Sequence, residues 1–355
     1  MKLVRKAFVV SLILSCALPV SCATREGTTD RGGRKRITIG LLLESAEGPS
    51  RCLDGEWLIK KANIPGVDVL IRYAEGRQEE QNRQASELIG EGADILVVTP
   101  TNPETAASIV VQAHRAAIPV LAWGDLIMNA DLDLYVTADR EAAGYLQAQA
   151  LLEKSSGGES VLLGGGENDP DAHLVRAGQL RAFKERAEKT GGEIPMLADL
   201  YLDPPTREEG RRRMAALLDD FKTTGEPVGA IMAFSDEIAA GAIAALEEKK
   251  PGAPVAVAGR GATLPACRRI IEGTQTFTVY TPSPRLATAA IQATVRLARG
   301  MKPEEVVRSL DYQERSVDNG YKEVPAILLE PVVVSRANMI ETVVLDGRYP
   351  VEEIY

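Results

Sequence analysis

The feature that most constrains the fold is a regular alternation of strand-length apolar runs with helical patterns. Apolar runs of strand length cover residues 37–43, 67–73 and 94–99, and a segment of helical periodicity follows each one. The run at 94–99 is nearly continuous in apolar residues, as in a parallel strand buried on both faces. The alternation predicts βαβ units, right-handed crossovers and mostly parallel sheets.

The alternation continues through residue 280, and the chain has 355 residues, a length that favours two domains. About eleven predicted strands would also strain a single open sheet. We therefore predict an α/β fold of two doubly wound lobes joined by a three-strand hinge. Crossings are expected within 121–139, at 281–284 and in the polar stretch 311–322. The N-terminal lobe would contain residues 37–138 and 282–312, and the C-terminal lobe residues 139–281 and 313–355.

The charge balance argues against nucleic acid as a partner. Lys and Arg number 41 against 50 Asp and Glu, which gives a formal net charge of −9. Binding to phosphates requires clustered cations. The densest basic run is Arg211-Arg-Arg213, and on a helix these three side chains spread around the axis, as on a solvated face.

The N-terminus has the pattern of an export signal. Residues 1–6 are cationic, residues 7–20 are apolar but short for a membrane span, and small residues lead to Cys22. Leu18-Pro-Val-Ser-Cys22 resembles a bacterial lipobox, with Cys16 as a competing match. We predict a signal peptide over 1–21, lipidation of Cys22 and a polar flexible tether over 22–36. The protein would be extracytoplasmic and attached to a membrane through its lipid.

Two further cysteines, Cys52 and Cys267, remain after removal of the signal. They could pair in an oxidising compartment. Separate thiols buried as small apolar groups are the favoured interpretation.

Polar residues at the ends of the predicted strands indicate where a ligand would bind. An apolar strand at 119–123 ends in Gly124-Asp125, and a second short strand at 134–137 leads into a helix near Asp139. Open α/β sheets place ligands in loops at the carboxyl ends of their strands. The loop after Trp123 is therefore a candidate binding segment.

Several segments at the crossings resemble xylose-type periplasmic sugar-binding proteins, members of the type I periplasmic binding protein family. The most specific are Asn129-Ala-Asp-Leu-Asp-Leu-Tyr135, Arg176-Ala-Gly-Gln179, Gly273-Thr-Gln-Thr-Phe-Thr-Val-Tyr280 and Asn319-Gly-Tyr-Lys-Glu-Val-Pro325. The resemblance covers nearly the whole chain after the tether. It implies the type I periplasmic binding protein fold, closure of two lobes on a sugar, and delivery to an ATP-driven ABC importer without chemistry or cofactor.

The chain departs from this family at positions that hold the sugar. Arg51 is displaced by one place and lacks the neighbouring Trp, and Asp125 replaces an Arg. Arg260-Gly261 stands for a Gln-Asp pair, Thr281 for a Lys and Pro205 for a Trp. An unpaired buried hydroxyl costs about 1–3 kcal/mol, and about 1.4 kcal/mol is tenfold in affinity. We therefore expect that xylose is not bound at micromolar strength.

Other family positions are kept in part. Asp169 persists, whereas His173 stands at a family Lys. Ser235-Asp236 keeps the acid of an Asn-Asp pair and loses the amide. The predicted ligand-binding residues are Glu44, Arg51, Trp123, Asp125, Asp169, Asp171, His173, Ser235, Asp236 and Arg260.

Two of the departures are reciprocal, because Asp125 replaces an Arg while Arg260 appears where an acid is lost nearby. Charge is thus moved across the cleft. One interpretation is a different polyol or a charged sugar such as a uronic acid, with Arg260, Arg51 and His173 as donors and Asp125, Asp169 and Asp236 as acceptors. The other is a cross-cleft Asp–Arg pair or a degenerate site without a small ligand.

Enzymatic and metal chemistry have little support in the sequence. Gly164-Gly-Gly166 and Gly259-Arg-Gly261 do not complete a dinucleotide-binding motif, and neither a nucleophile elbow nor a phosphate-binding loop occurs. The two histidines do not belong to a cluster with zinc-ligand spacing. Two classes of function remain: a solute receptor serving an ABC permease, or a lipid-anchored partner of a chemoreceptor, sensor kinase or other protein.

Overall fold

The computed structural model describes residues 36–45, 51–154, 159–192, 195–225 and 227–355, and at 51–54 the helical backbone alone. The predicted signal peptide, the lipidation site Cys22 and nearly all of the tether lie outside these residues. The described chain forms two α/β lobes, each built on one sheet. The fold class is as predicted.

The first sheet has seven strands in the order β11-β12-β5-β4-β3-β1-β2. All neighbouring pairs are parallel except β11 with β12. The central strands β3, β4 and β5 are buried along their whole length, as expected for parallel strands covered on both faces. The strands are β1 Ile37–Leu43, β2 Val67–Tyr73, β3 Ile95–Val98, β4 Val120–Trp123, β5 Leu134–Ala138, β11 Arg315–Asp318 and β12 Glu323–Leu329.

The second sheet has six strands in the order β13-β10-β9-β8-β6-β7. Its pairs are parallel except β10 with β13. The strands are β6 Glu159–Leu163, β7 Met196–Leu200, β8 Val228–Ala233, β9 Ala256–Arg260, β10 Phe277–Tyr280 and β13 Val332–Val334.

Helices cover both faces of each sheet. In the first lobe, α1 and α9 pack in one apolar cluster and α2 and α3 in another. In the second lobe, α6 and α7 share one cluster, and α4 and α5 share another. The helices are α1 Arg51–Ala62, α2 Gln78–Glu91, α3 Ala107–Arg115, α4 Arg140–Lys154, α5 Pro170–Thr190, α6 Arg207–Thr224, α7 Asp236–Lys249, α8 Leu264–Glu272, α9 Ser283–Ala298, α10 Pro303–Ser309, α11 Val351–Ile354 and a π-helical turn Ile340–Val344.

The chain passes between the lobes three times. Strand β5 belongs to the first sheet and α4 packs on the second lobe, so the first passage lies near Asp139. Strand β10 belongs to the second sheet and α9 to the core of the first lobe, so the second passage includes Thr281-Pro282. The third passage is the dipeptide Glu330-Pro331, between β12 and β13.

The expected place of the third crossing, 311–322, is wrong. Strand β12 pairs with β5 in the first sheet, with Ala326 opposite Tyr135. The polar stretch holds β11 and the turn of an antiparallel hairpin, in which the Asn319 amide donates to the Lys322 carbonyl at 3.2 Å. Residues 315–329 therefore belong to the first lobe, and β13 and the C-terminal segment to the second.

A close helix pair fixes the part of the second lobe that faces the first. A methyl group at Gly144 of α4 would lie 1.8 Å from the Val175 carbonyl oxygen, and one at Gly178 of α5 would lie 1.9 Å from the Glu141 carbonyl oxygen. Only a hydrogen atom fits at each of these two contacts. The two glycines therefore allow the helices to approach each other closely. This packing brings the first turns of α4 and α5 together beside the carboxyl ends of the second sheet.

Candidate functional site

A cleft of about 710 Å³ opens between the two lobes. It is lined by residues that follow strands of both sheets, among them the loop after β4, the segment after β8 and the end of β9. Carboxyl ends of parallel strands meet at one edge, and open α/β sheets present ligands there. The cleft lies at the strand ends where the sequence analysis placed a candidate binding segment.

Most of the predicted binding residues line this cleft, and two have a different status. Arg51 lies in α1, but its side chain is outside the described part of the structure. His173 is not among the lining residues. The predicted residues that line the cleft are Glu44, Trp123, Asp125, Asp169, Asp171, Ser235, Asp236 and Arg260.

The first-lobe wall is formed by the turn that follows β4. Gly124 has φ +81°, a conformation that favours glycine, and its carbonyl oxygen accepts hydrogen bonds from Tyr135 Oη at 2.8 Å and Thr137 Oγ1 at 2.7 Å. Burial raises the pKa of Tyr135 to about 12, so its hydroxyl remains a donor at neutral pH. The turn therefore presents Trp123 and Asp125 to the cleft from a fixed backbone.

An ion pair between Arg140 and Asp171 lies in the second-lobe wall. Arg140 Nε donates to Asp171 Oδ2 at 2.5 Å, and the two residues occupy the first turns of α4 and α5. Burial disfavours the arginine charge, but the charge and hydrogen bond of Asp171, together with the charge of Asp125 and the effect of Tyr135, outweigh burial and raise the pKa of Arg140. Both partners line the cleft, and the pair places a charged, hydrogen-bonding surface there.

Arg260 at the end of β9 lies against an aromatic ring. Its Nε donates to the Phe234 carbonyl oxygen at 3.0 Å, and its guanidinium carbon lies 4.5 Å from the Phe234 ring centroid. Burial and the like charge of Arg140 lower the pKa of Arg260 to about 10, against the opposing effect of nearby carboxylates. Arg260 remains positively charged at neutral pH, but in surroundings that lower its basicity.

Asp236 was predicted as a ligand acceptor, and its carboxylate is instead occupied by the protein. Oδ1 accepts hydrogen bonds from Thr278 Oγ1 at 2.8 Å and Gln275 Nε2 at 3.1 Å, and Oδ2 accepts from the Thr263 amide at 2.9 Å. The residue is only 1% exposed. A methyl group at Gly259 would lie 2.2 Å from Oδ1, so the carboxylate packs against β9. Asp236 therefore joins α7 to β9 and β10.

Ser235 and Asp169 cap helices at the edge of the cleft. The Ser235 hydroxyl accepts a hydrogen bond from the Ile238 amide at 3.2 Å, at the start of α7. Asp169 Oδ1 accepts from the Asp171 amide at 2.9 Å, at the start of α5. These bonds satisfy amides that the helices leave unpaired and fix both side chains in the wall.

His173, predicted as a ligand donor, is not among the residues that line the cleft. Its Nε2 lies 2.7 Å from the Glu167 carbonyl oxygen and donates to it, so Nδ1 accepts from Tyr201 Oη at 2.9 Å. The side chain is exposed in the first turn of α5 and binds to the preceding loop and to the end of β7. The family Lys position therefore contributes no side chain to the wall.

The reciprocal charges at 125 and 260 do not form the cross-cleft pair that was one of the alternatives. In the described part of the chain no ion pair joins Asp125 to Arg260. The charges that act on Arg260 are instead those of Arg140, Asp171, Asp169 and Asp236. The electrostatic partners of Arg260 therefore lie in its own lobe.

Several lining residues were missed by sequence reasoning. Arg140 carried one usable signal: a cation in the first turn of a helix is unfavourable for the helix dipole and calls for a specific partner. Arg348, in the C-terminal segment, donates to the carbonyl oxygens of Ala262 and Gly261, each at 3.0 Å, and lines the cleft together with Tyr349. The sequence offered no indication that this late segment folds back to the site.

The described side chains of the cleft do not form a metal centre. Among the residues that the structure describes, no three His, Cys, Asp or Glu side chains come together as metal ligands would.

Cys267 is a buried free thiol, and burial raises its pKa to about 12, so it is protonated at neutral pH. No helix in the described ranges is both long and apolar enough to cross a membrane.

Comparison with known proteins gives one consistent result. The family model described as "Periplasmic binding protein domain" matches residues 54–302. The D-xylose-binding periplasmic protein of Escherichia coli K12 is 33% identical over 90% of this chain and 93% of its own length, and that of Haemophilus influenzae is 34% identical with the same coverage.

A carbohydrate transporter solute-binding protein from Chloroflexus aurantiacus, solved with D-glucose, superposes with a TM-score of 0.73 at 23% identity. The match covers 90% of this chain and 98% of that one. These relatives are solute-binding proteins and not enzymes. From the arrangement of its sheets, the position of its cleft and these matches, the chain belongs to the type I periplasmic binding protein family and resembles the xylose-binding members over nearly its whole length.

Proposed function

We propose that the protein is an extracytoplasmic receptor that captures a sugar or sugar derivative other than xylose and delivers it to an ABC importer. The observation that carries the proposal is the composition of the cleft, where charged groups such as Asp125, Asp169 and Arg260 lie beside the aromatic residues Trp123 and Phe234. Hydroxyl groups of a sugar both donate and accept, and planar charged side chains can bind two at once. Aromatic faces suit the apolar faces of a sugar ring.

Family membership supports the sugar and the importer, since the relatives are named for sugar binding. The departures at the wall support a ligand other than xylose. Asp125, Arg260 and Thr281 all line the cleft, and each replaces a residue of the xylose-type pattern with one of different charge or hydrogen-bonding capacity. The protein would therefore keep the family's mode of binding and take a different ligand.

Capture would proceed by closure of the two lobes about the three connecting segments, as in other hinged binding proteins. A ligand held by both walls favours the closed form and stabilises the folded protein by mass action.

We also propose that Cys22, near the N-terminus, carries a lipid that would hold the receptor at the membrane. Cys22→Ala should then shift the protein from the membrane fraction to the soluble extracytoplasmic fraction, and continued membrane association would argue against the anchor.

The decisive test is a thermal-shift screen with pentoses, hexoses, uronic acids, polyols and nucleosides, followed by calorimetry on the hits. We expect one sugar class to raise the melting temperature, and ligand at a hundred times its Kd to add about 2.7 kcal/mol of stability. Xylose should show no micromolar binding. A micromolar constant for xylose would overturn the proposed change of ligand.

One observation favours a second candidate, a lipid-anchored partner of a chemoreceptor or sensor kinase. The Arg140–Asp171 pair lies within the cleft and satisfies two groups that could otherwise bind a ligand. A cleft occupied by its own ion pairs would be consistent with a degenerate site. Absence of any melting shift across the whole panel would favour this candidate over the receptor.

A further inference from the structure

The three described arginines that line the cleft differ in how they are bound. Arg140 is paired with Asp171. Arg348 gives two nitrogens to backbone carbonyls and lies 5.1 Å from the Tyr280 ring centroid. Arg260 donates only its Nε, to the Phe234 carbonyl oxygen. Within the described chain, neither terminal nitrogen of Arg260 has a hydrogen bond or an ion pair to another side chain.

The position of the Arg260 guanidinium is fixed without use of its terminal nitrogens. The Nε hydrogen bond and the Phe234 ring at 4.5 Å hold the plane of the group. The two terminal nitrogens therefore form a preoriented fork at the edge of the cleft. Such a fork fits the two oxygens of a carboxylate in a bidentate arrangement.

Each carboxylate near Arg260 has a partner other than Arg260. Asp171 pairs with Arg140, Asp236 accepts three hydrogen bonds from uncharged donors, and Asp169 caps α5. Burial and the charge of Arg140 together exceed their attraction, which is why the pKa of Arg260 falls to about 10. An added negative charge at the fork would relieve this imbalance.

We propose that the ligand is an acidic sugar of the hexuronate class, whose carboxylate is bound by the terminal nitrogens of Arg260. This inference rests on the proposed function, because it names the ligand class of the same cleft. The sugar ring would lie between the two walls, with its hydroxyls toward Asp125 and Asp169. Arg260 is then the residue that discriminates an acidic sugar from the neutral sugar of the same stereochemistry.

The experiment compares ligands that differ in one group. Calorimetry with the purified protein would measure D-glucuronate against D-glucose and D-galacturonate against D-galactose, at low and high salt. Because a bidentate contact to a carboxylate is charge-assisted, we expect one uronate to bind roughly ten- to a hundredfold tighter than its parent sugar. The preference should shrink at high salt and at pH values above about 10, where Arg260 loses its proton.

Substitutions of Arg260 test whether this side chain causes the preference for the uronate. Arg260→Gln should abolish the preference for the uronate, and Arg260→Lys, which keeps the charge but not the planar fork, should retain part of it. Arg212→Gln is the matched control, because it removes the same charge from an exposed position on α6, where Arg212 pairs with Glu209. That control should leave the preference unchanged.

The outcomes separate this inference from the function on which it rests. Binding of a neutral sugar as tight as that of its uronate would overturn the acidic-sugar assignment and leave the receptor standing. A preference that survives Arg260→Gln would overturn the role of Arg260. Failure of every sugar in the panel, neutral or acidic, would overturn both the receptor and the inference.

Discussion

Asp236 and Arg260 lie at the carboxyl ends of neighbouring strands of the second sheet, and their charges differ in how fully they are hydrogen-bonded. Asp236 lies just beyond β8 and is saturated by three donors of its own lobe. Arg260 is the last residue of β9. Its Nε donates to a backbone carbonyl oxygen, and its terminal nitrogens remain available at the cleft. A charge that is fully bonded internally supports the fold, whereas a charge with open donors is available for the proposed binding, at some cost in stability.

The largest expected effect is loss of the saturated charge. Asp236→Ala would leave Gln275, Thr278 and the Thr263 amide without their acceptor and open a cavity beside β9. We expect the free energy of unfolding to fall by about 3–5 kcal/mol, measured by urea denaturation. Glu237→Ala, at an exposed position of the same helical turn, should change it by less than about 0.5 kcal/mol. Similar losses in the two variants would contradict a structural role for Asp236.

A smaller loss is expected when one donor to this carboxylate is removed. Thr278 is fully buried, and its hydroxyl donates to Asp236 and accepts from the Ala262 amide at 3.3 Å. Thr278→Val keeps the shape of the side chain and should lower the free energy of unfolding by about 1–2 kcal/mol. Combined with Asp236→Ala, it should add much less than it costs alone, because the shared bond is already gone. Full additivity in that double-mutant cycle would mean that the two side chains are not coupled.

The smallest change, and one of opposite sign, is expected at Arg260. Arg260→Met removes a charge whose pKa is lowered by burial and keeps an apolar side chain against Phe234. The free energy of unfolding should stay the same or rise by up to about 1 kcal/mol, since burial disfavours the arginine charge and Arg260 forms no ion pair within the described residues. A loss comparable to that of Asp236→Ala would show that Arg260 also supports the fold.

Strand and helix order could be predicted because it depends on local periodicity, which the sequence displays directly. The third passage between the lobes could not be located, because residues 323–334 form one almost continuous apolar run. Within this run the chain leaves the first sheet and enters the second at Glu330-Pro331. Pro331 lacks the backbone N–H that a continuing strand would need as a hydrogen-bond donor. The pairing of β12 with β5 is a contact between distant parts of the chain, and periodicity does not encode it.

The position of the cleft could be predicted in outline from the strand ends, and eight of the ten proposed binding residues line it. The directions of side chains were not predictable. His173 turns toward Tyr201, and Asp236 turns into its own lobe, for reasons that depend on neighbours remote in sequence. Arg140 was missed because its partner Asp171 lies 31 positions away and meets it only through the close packing of α4 on α5.

The three passages also determine how the molecule would respond to a single break in its backbone. A nick between Thr281 and Pro282 would divide the chain into two pieces, yet each piece would still contribute strands to both sheets. The first sheet would keep β11 and β12 from the later piece, and the second would keep β13. The pieces would stay interlocked under native conditions and come apart only in denaturant, so this single cut would release neither lobe of the protein.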